Sequence, residues 1–215
     1  MPVTQLRYLD ITKLTVGPMD NNAYLLRCRN SNEAVLIDAA NDAAALLSLV
    51  ASSSVRYIVT THRHADHWQA LAPLTEATGA LTVAHPLDAS AIGVPTAQLC
   101  EDGDVLAFGD TGAGPALSSI ELEVIHLRGH TPGSIALLYT DPYGAPHLWA
   151  GDSLFPGGLG NTHGSAEDFA SLIDDVTTKL FDRLPDQTYV YPGHGANTTI
   201  GAQRPSLPQW RARGW

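Results

Sequence analysis

The chain has little cysteine, and it has no long apolar run. Its only two cysteines are Cys28 and Cys100, and neither stands near a histidine. We expect each to be a buried or free thiol, and a disulfide between them is the alternative that the sequence leaves open but does not support. No apolar run approaches the ~18 residues of a membrane-spanning helix, and the N-terminal segment lacks the apolar centre of a signal peptide. The sequence therefore predicts a cytoplasmic protein with no membrane partner.

Positive charge is scarce as well. Twelve Lys and Arg stand against 22 Asp and Glu, which gives a formal net charge of −10. Nucleic-acid binding depends on basic side chains that neutralise phosphates, so we expect no nucleic-acid partner. The hydrophobic content of 44% and the charged content of 16% are typical of a globular enzyme. At this length we expect one domain over residues 1–215, and a chain of this size buries roughly 70% of its unfolded surface.

What the chain does have is a histidine-rich segment, His-Arg-His-Ala-Asp-His, at positions 62–67. It follows an apolar, β-branched run at 57–60 that predicts a buried strand. Strand geometry places His62 and His64 on one side, so both can point at one centre just past the strand. Asp66 and His67 stand where a helix should begin, and they can face a neighbouring centre. Imidazole and carboxylate are ligands for zinc, iron and manganese, so the spacing favours a metal site over ordinary surface or core histidines.

Three later segments each place a histidine or an aspartate beside glycine at the end of a predicted strand. Small neighbours let the backbone turn sharply and let a metal approach closely. Each segment alone is a weak signal, because Gly-His is common in turns. Together they place further metal ligands at strand ends, where an α/β sandwich gathers its active site. The segments are Gly-His-Thr-Pro-Gly at 129–133, Gly-Asp-Ser-Leu-Phe at 151–155 and Pro-Gly-His-Gly at 192–195.

Predicted strands are followed by predicted helices, twice along the chain. This order indicates sheets that lie between layers of helices. An amphipathic pattern predicts a helix over 167–184, and residues 103–118 are predicted as a loop or an irregular hairpin. Asp38 ends the strand pattern of 34–38. It is either a cap for the helix predicted over 43–51 or a carboxylate that supports a metal-binding histidine, and the sequence favours neither.

The histidine-rich segment and the three glycine-flanked segments resemble the metallo-β-lactamase-fold hydrolase superfamily, in particular its glyoxalase II-like branch. The resemblance runs from about residue 22 to residue 195, with all seven ligand positions in order. It implies an α/β fold, namely an αββα sandwich of two mixed sheets flanked by helices, with two divalent metal ions between the sheets. Zinc (Zn2+) is the expected metal, with iron or manganese as alternatives. The ligands implied are His62, His64 and His130 for one metal, Asp66, His67 and His194 for the other, and Asp152 as the bridge.

The same resemblance implies a dinuclear metal-dependent hydrolase. A hydroxide bridging the metals would attack a thioester or related acyl carbonyl of a small molecule, with Asp66 as the catalytic residue that orients it. The alternatives are a lactone or ester hydrolase of the same fold, a mononuclear-iron oxygenase like the persulfide dioxygenases, and a non-catalytic metal-binding protein. True metallo-β-lactamases usually carry Cys or Ser at the position of Asp152, so antibiotic hydrolysis is not expected.

Four residues are candidates for contact with the substrate: Trp68, Phe155, Asn161 and His163. Trp68 either narrows the pocket or packs under its loop, with packing favoured, and His163 either lines the pocket or caps the helix that follows. Asn161 is neutral where glyoxalase II enzymes have a basic residue for glutathione. Glyoxalase II enzymes also have an added C-terminal helical domain, whereas this chain ends about 20 residues after the last ligand. We therefore do not expect the substrate to carry a glutathione group. The sequence makes no prediction of oligomeric state.

Overall fold

The computed structural model describes residues 3–214 of the 215-residue chain, which form two sheets stacked face to face with helices outside them. The first sheet has seven strands in sequence order, β1 to β7. The first four strands pair antiparallel, and β4 to β7 pair parallel. The strands are β1 Val3–Gln5, β2 Leu9–Val16, β3 Asn21–Cys28, β4 Glu33–Ile37, β5 Ser54–Val59, β6 Leu81–Ala84 and β7 Gln98–Leu99.

The change from antiparallel to parallel pairing follows from the connections. Short turns suffice between antiparallel strands, whereas parallel neighbours need a crossover segment. Helix α1, Ala43–Val50, makes the crossover from β4 to β5, and α2, Leu71–Thr78, makes the crossover from β5 to β6. A short helix α3, Pro86–Ala89, follows β6.

The second sheet has six strands in the order β15-β14-β11-β10-β9-β8, and only β11 and β14 pair parallel. Helix α4, Ala166–Asp175, and the π-helical turn Val176–Phe181 that continues it make the crossover between that parallel pair. A two-stranded hairpin, β12 with β13, stands apart from both sheets. The strands are β8 Val105–Phe108, β9 Ile120–His126, β10 Ile135–Tyr139, β11 His147–Gly151, β12 Leu154–Phe155, β13 Gly158–Leu159, β14 Tyr189–Pro192 and β15 Thr198–Thr199. Helices α5, Ile200–Gln203, and α6, Leu207–Arg213, close the described chain.

Three apolar clusters hold the layers together. The central cluster lies between the sheets and contains fully buried aromatic side chains such as Trp149 and Phe108. A second cluster packs Leu46 of α1 and Leu74 of α2 on the outer face of the first sheet. A third packs α4 and the π-helical turn on the second sheet through residues such as Leu172. Burial of apolar surface on both faces of each sheet is the main stabilising contribution to this arrangement.

The predicted αββα sandwich of two mixed sheets is confirmed. Cys28 and Cys100 are buried free thiols, not a disulfide. The helix predicted over 167–184 is present as α4 and the π-helical turn Val176–Phe181, so the helix widens from α to π geometry after Asp175 and ends at Phe181. Residues 103–118 contain strand β8, which pairs with β9 in an irregular hairpin. Within residues 3–214, no helix is both long enough and apolar enough to cross a membrane.

The topology brings several strand ends to one edge of the sandwich. β4 and β5 are parallel neighbours, so residues 38 and 61–67 emerge together at that edge of the first sheet. In the second sheet β9 and β11 both pair antiparallel with β10, and β14 is parallel to β11, so all three end on the same side. The backbone N–H of Ile135 donates to Thr61 O at 2.9 Å, which joins the two sheets at this edge.

Candidate metal centre

Seven side chains with metal-binding groups converge where these strands end. Their ligand atoms form three groups, in each of which all atoms lie within 4.8 Å of one another. Asp66 and His67 lie in the 3₁₀ turn Ala65–His67, which directly follows the segment that carries His62 and His64. The groups are His62, His64 and His130; His62, His67 and Asp152; and Asp66, His67 and His194.

The first set is built from His62, His64 and His130. The Nε2 of His62 lies 3.1 Å from Nδ1 of His64 and 3.3 Å from Nε2 of His130. Two ligand atoms that each stand ~2.0–2.1 Å from a tetrahedral zinc ion are ~3.3 Å apart. The three nitrogens therefore have the spacing of ligands around one cation.

The second set is built from Asp66, His67 and His194. The Nε2 atoms of the two histidines are 3.2 Å apart, and Asp66 Oδ2 lies 3.5 Å from His67 and 3.4 Å from His194. These three atoms have the same spacing as the first set. The two sets therefore offer two neighbouring cation sites.

Asp152 lies between the two sets. Its Oδ2 is 3.7 Å from Nε2 of His130 and 3.5 Å from Nε2 of His194, so one carboxylate oxygen faces both. Its Oδ1 is buried and has no hydrogen-bond partner within residues 3–214. A buried carboxylate oxygen without a partner is costly, and a cation between the two sets would satisfy it. The donors present therefore fit a two-metal centre.

Hydrogen bonds at the far side of each ring aim the histidines at this centre. Nδ1 of His67 bonds Asp38 at 2.9 Å, Nδ1 of His194 bonds Met19 O at 2.9 Å, and Nδ1 of His130 bonds Asn161 O at 2.8 Å. Each partner is an acceptor, so in the neutral ring each Nδ1 carries the proton and each Nε2 presents its lone pair to the site. This is the tautomer that metal binding requires.

Asp38 organises the turn between β5 and the ligands. It accepts hydrogen bonds from Thr61 N at 2.8 Å, from Thr61 Oγ1 at 2.9 Å and from His67. Asp42, not Asp38, caps α1 by accepting from Ala45 N. The structure therefore assigns Asp38 the supporting role that the sequence left open.

Burial and neighbouring charge shift the histidines in opposite directions. Burial lowers the pKa of His62 well below its usual value, and burial also lowers the pKa of His130. Burial opposes the charging of His67 too, but the carboxylates of Asp38 and Asp152 outweigh it and raise its pKa to about 10. The carboxylates therefore favour a positive charge at His67. A bound cation would supply that charge in place of the second proton on the His67 ring.

Asp88, which no motif in the sequence marks, joins two of the ligand loops. It is fully buried and accepts from Arg63 N, between two ligands, and from Gly133 N, both at 2.9 Å. It also accepts from Thr131 Oγ1 at 2.5 Å. In the sequence, Asp88 looks like an ordinary acidic residue in the first turn of a helix, which gives no indication of this role.

Asn21, the first residue of β3, was also missed. It is buried, and its Nδ2 lies 2.8 Å from Asp66 Oδ2, within the second donor set. No spacing rule connects positions 21 and 66. Only the approach of β3 to the β5 turn brings the two together.

The predicted substrate residues have different positions. Trp68 Nε1 donates to Arg63 O at 2.9 Å, and its ring lies against Gly93, so Trp68 packs across its own loop. His163 is exposed, and its ring centroid is 5.9 Å from that of His64. Ser165, not His163, caps α4. His163 therefore stands at the open side of the site.

Asn161 and Phe155, the other two predicted substrate residues, make contacts within the protein. Asn161 uses its backbone oxygen for His130 and its side-chain oxygen for His163 N at 2.8 Å. Phe155 lies opposite Gly158 in the β12–β13 hairpin, and within residues 3–214 it makes no ring contact with a ligand histidine. Arg128 donates two side-chain hydrogen bonds to Asp175, at 2.7 and 2.8 Å, and is therefore committed to the protein.

The fold and the donor sets define a family. Residues 16–194 match the model of the metallo-beta-lactamase superfamily, and the chain belongs to that superfamily. It is a hydrolase-type member with a His/Asp cluster that can hold metal ions.

Two curated relatives are hydroxyacylglutathione hydrolases. A hydroxyacylglutathione hydrolase of Polaromonas sp. is 35% identical over 177 residues, which cover 81% of this chain and 62% of the relative. The chain therefore spans less than two thirds of that relative. The hydroxyacylglutathione hydrolase GloC of Haemophilus influenzae is 28% identical over 93% of this chain and 97% of its own.

Solved structures give the same family. BLEG-1, a B3 metallo-beta-lactamase, superposes with a TM-score of 0.78 at 27% identity, covering 93% of this chain and 99% of its own. ETHE1 from Myxococcus xanthus superposes with a TM-score of 0.76 at 28% identity, covering 94% of this chain and 84% of its own. TTHA1623 in a di-iron-bound form superposes with a TM-score of 0.73 at 32% identity, covering 90% of this chain and 96% of its own.

Proposed function

We propose that the chain is a dinuclear metal-dependent hydrolase of thioesters or related small acyl substrates, with zinc as the native metal. The observation that carries the proposal is Asp152, whose carboxylate faces both donor sets and has a buried oxygen without a hydrogen-bond partner in the described part of the chain. Two curated hydrolases of glutathione thioesters at 28–35% identity support the acyl chemistry.

The bound metals would supply an activated water with a pKa near ~7 and a Lewis acid for the carbonyl oxygen. The protein supplies the placement. Asp38 and Asn161 hold His67 and His130 with their lone pairs facing the site. Asp66 remains partly open, with 19% of its side chain exposed, so it can accept a hydrogen bond from an attacking water. A thiolate leaving group needs little protonation, which suits this site.

Metal content is the first test. Elemental analysis of protein purified without added metal should show nearly two equivalents per chain, mostly zinc. The di-iron-bound relative makes iron the main competitor. A single tightly bound iron, with no second site that zinc can fill, would overturn the hydrolase and favour a mononuclear-iron oxygenase.

Substrate preference is the second test. The two hydroxyacylglutathione hydrolases among the relatives favour glutathione thioesters as substrates. Neither of two residues near the site offers a free positive charge for a glutathione carboxylate. The side chain of Asn161 is neutral and already hydrogen-bonded, and Arg128 is paired with Asp175. Loss of one charge-assisted contact costs ~1.5–3 kcal/mol, or roughly tenfold to 150-fold in binding. We therefore expect S-lactoylglutathione to be a slow substrate, no better than the lactoyl thioester of a small neutral thiol.

The measurement is kcat/KM across S-lactoylglutathione, the matched small lactoyl thioester, other thioesters, lactones and a β-lactam. Asp152→Ala provides the background rate, because it removes the shared carboxylate. Preference for S-lactoylglutathione at ~10⁷–10⁸ M⁻¹s⁻¹ would contradict the expectation from Asn161 and Arg128. Turnover of lactones alone would move the assignment to the lactonase alternative.

A further inference from the structure

Asn21 stands inside the second donor set although no sequence motif includes it. Asn21 is about 1% exposed. Its Nδ2 lies 2.8 Å from Asp66 Oδ2, 3.5 Å from Nε2 of His67 and 3.4 Å from Nε2 of His194. The ligand atoms of that set are 3.2–3.5 Å from one another. The amide therefore contacts all three at once and occupies one corner of a compact group of four.

The surroundings decide which end of the amide faces this set. Asp66 presents a carboxylate oxygen. In their neutral, metal-binding form His67 and His194 present lone pairs, because their Nδ1 protons are donated to Asp38 and to Met19 O. Asp66 is the nearest of the three neighbours. A carbonyl oxygen at this corner would face the Asp66 carboxylate, whereas an NH₂ group can donate to it.

The backbone around Asn21 is held in place by its neighbour. Asn22 N donates to Gly193 O at 2.7 Å, and the Asn22 side chain donates to Pro192 O at 2.9 Å and to Gly195 O at 3.0 Å. Asn21 itself forms an isolated bridge with His194. The start of β3 is therefore fastened to the loop that carries His194, and the Asn21 amide can brace Asp66 against that loop.

We propose that Asn21 is a positioning residue, whose amide donates to Asp66 and fixes that carboxylate towards the second metal position. The proposal rests on the metal centre of the proposed function. It requires no particular substrate. Removal of a group that orients a metal ligand typically weakens metal binding ~10–100-fold.

The test uses Asn21→Ala, which removes the amide, and Asn21→Leu, which keeps most of the volume and removes the hydrogen bond. Metal affinity is measured by competition with a chelator, using zinc and then cobalt(II), and folding is checked by thermal unfolding of the metal-free proteins. We expect the metal of the second donor set to bind ~10–100-fold less tightly in both variants, so that one of the two affinities falls. The other affinity and the cobalt absorption bands at saturation should be unchanged. Asn30→Ala is the matched control, because exposed Asn30 also donates one amide hydrogen bond, to Asp110 O, outside the site.

Three results would overturn the proposal. Wild-type affinity for both metals in both variants would mean that Asn21 does not position Asp66. Equal weakening of both metals would indicate a general structural defect. Changed cobalt band intensities at saturation would mean that the amide is itself a ligand. Since none of these readouts uses a substrate, wild-type protein that binds two metals but hydrolyses no acyl compound would refute the proposed function separately.

Discussion

Gly193 and Gly160 press directly against Asp152. A Cβ added at Gly193 would collide with Asp152 Oδ1 and would lie 2.7 Å from Cε1 of His67. One added at Gly160 would collide with the backbone oxygen of Asp152. The backbone at both positions is outside the left-handed region, so the requirement for glycine here is one of space. The bare backbone lets the Asp152 carboxylate sit between the two donor sets.

Gly193→Ala should therefore displace Asp152 or His67. We expect metal binding at least ~10-fold weaker, and destabilisation of ~1–3 kcal/mol from overpacking. Bound metal and thermal unfolding are the measurements. Gly158→Ala is the control, because its added Cβ would meet nothing closer than 3.6 Å within the described chain. Full metal content in Gly193→Ala would contradict the close approach seen here.

At the scale of secondary-structure elements, the four-residue helix α3 connects two of the loops that carry the donor side chains. Its Asp88 receives hydrogen bonds from the loop after β5 and from the loop after β9. These loops carry His62, His64 and His130, which form the first donor set. One buried carboxylate therefore sets the distance between ligands from opposite sheets.

Asp88→Asn should test this link, because an amide can accept at only one of its two ends. At least one buried donor would lose its partner, at a cost of ~1–3 kcal/mol, and metal binding at the first set should weaken ~10-fold. Chelator competition and thermal unfolding measure the two effects. Asp141→Asn is the control, because Asp141 is also nearly buried and accepts from Tyr143 N, but at the other end of β10. Loss of stability without loss of metal would show that Asp88 supports only the fold.

The sequence predicts which donor side chains come together better than it predicts the elements that hold them. The histidine-rich segment is local, so its spacing alone indicates a metal site. The roles of Asn21 and Asp88 arise from contacts 45 and 25 positions away, which no local pattern records. Helix α3 and strands β7, β12 and β13 have two to four residues, too few for a periodic signal. The buried apolar residues of the π-helical turn, Val176, Leu180 and Phe181, are four and five positions apart, and this spacing in the sequence does not distinguish a π-helical turn from an α-helix.

At the scale of the whole molecule, the donor sets join the two halves of the sandwich. His62, His64, Asp66 and His67 follow a strand of the first sheet. The other three ligands, His130, Asp152 and His194, follow strands of the second sheet. Metal binding therefore adds cross-links between the sheets, and it contributes to stability because the unfolded chain has no preformed site.

In metal-free protein, protonated His67 would supply part of this cross-linking, because it lies between the carboxylates of Asp38 and Asp152. Its pKa in the fold is about 10, above the ordinary value of 6.5, chiefly because Asp38 and Asp152 overcome the effect of burial. A raised pKa means that the folded state binds this proton more tightly than the unfolded state does. Its contribution is fully present below pH 6.5 and is lost as the pH rises towards 10.

We therefore expect the stability of metal-free protein to fall as the pH rises from 6.5 towards 10, and the fall should be absent in His67→Gln. The measurement is urea unfolding of chelator-treated protein across this range, with the metal-loaded form beside it. The loaded form should not show this loss, because a cation occupies the place of the proton. Comparison with His67→Gln isolates the contribution of this residue from that of the other ionisable groups. Metal-free stability that stays constant or rises over the same range would contradict the charged state of His67.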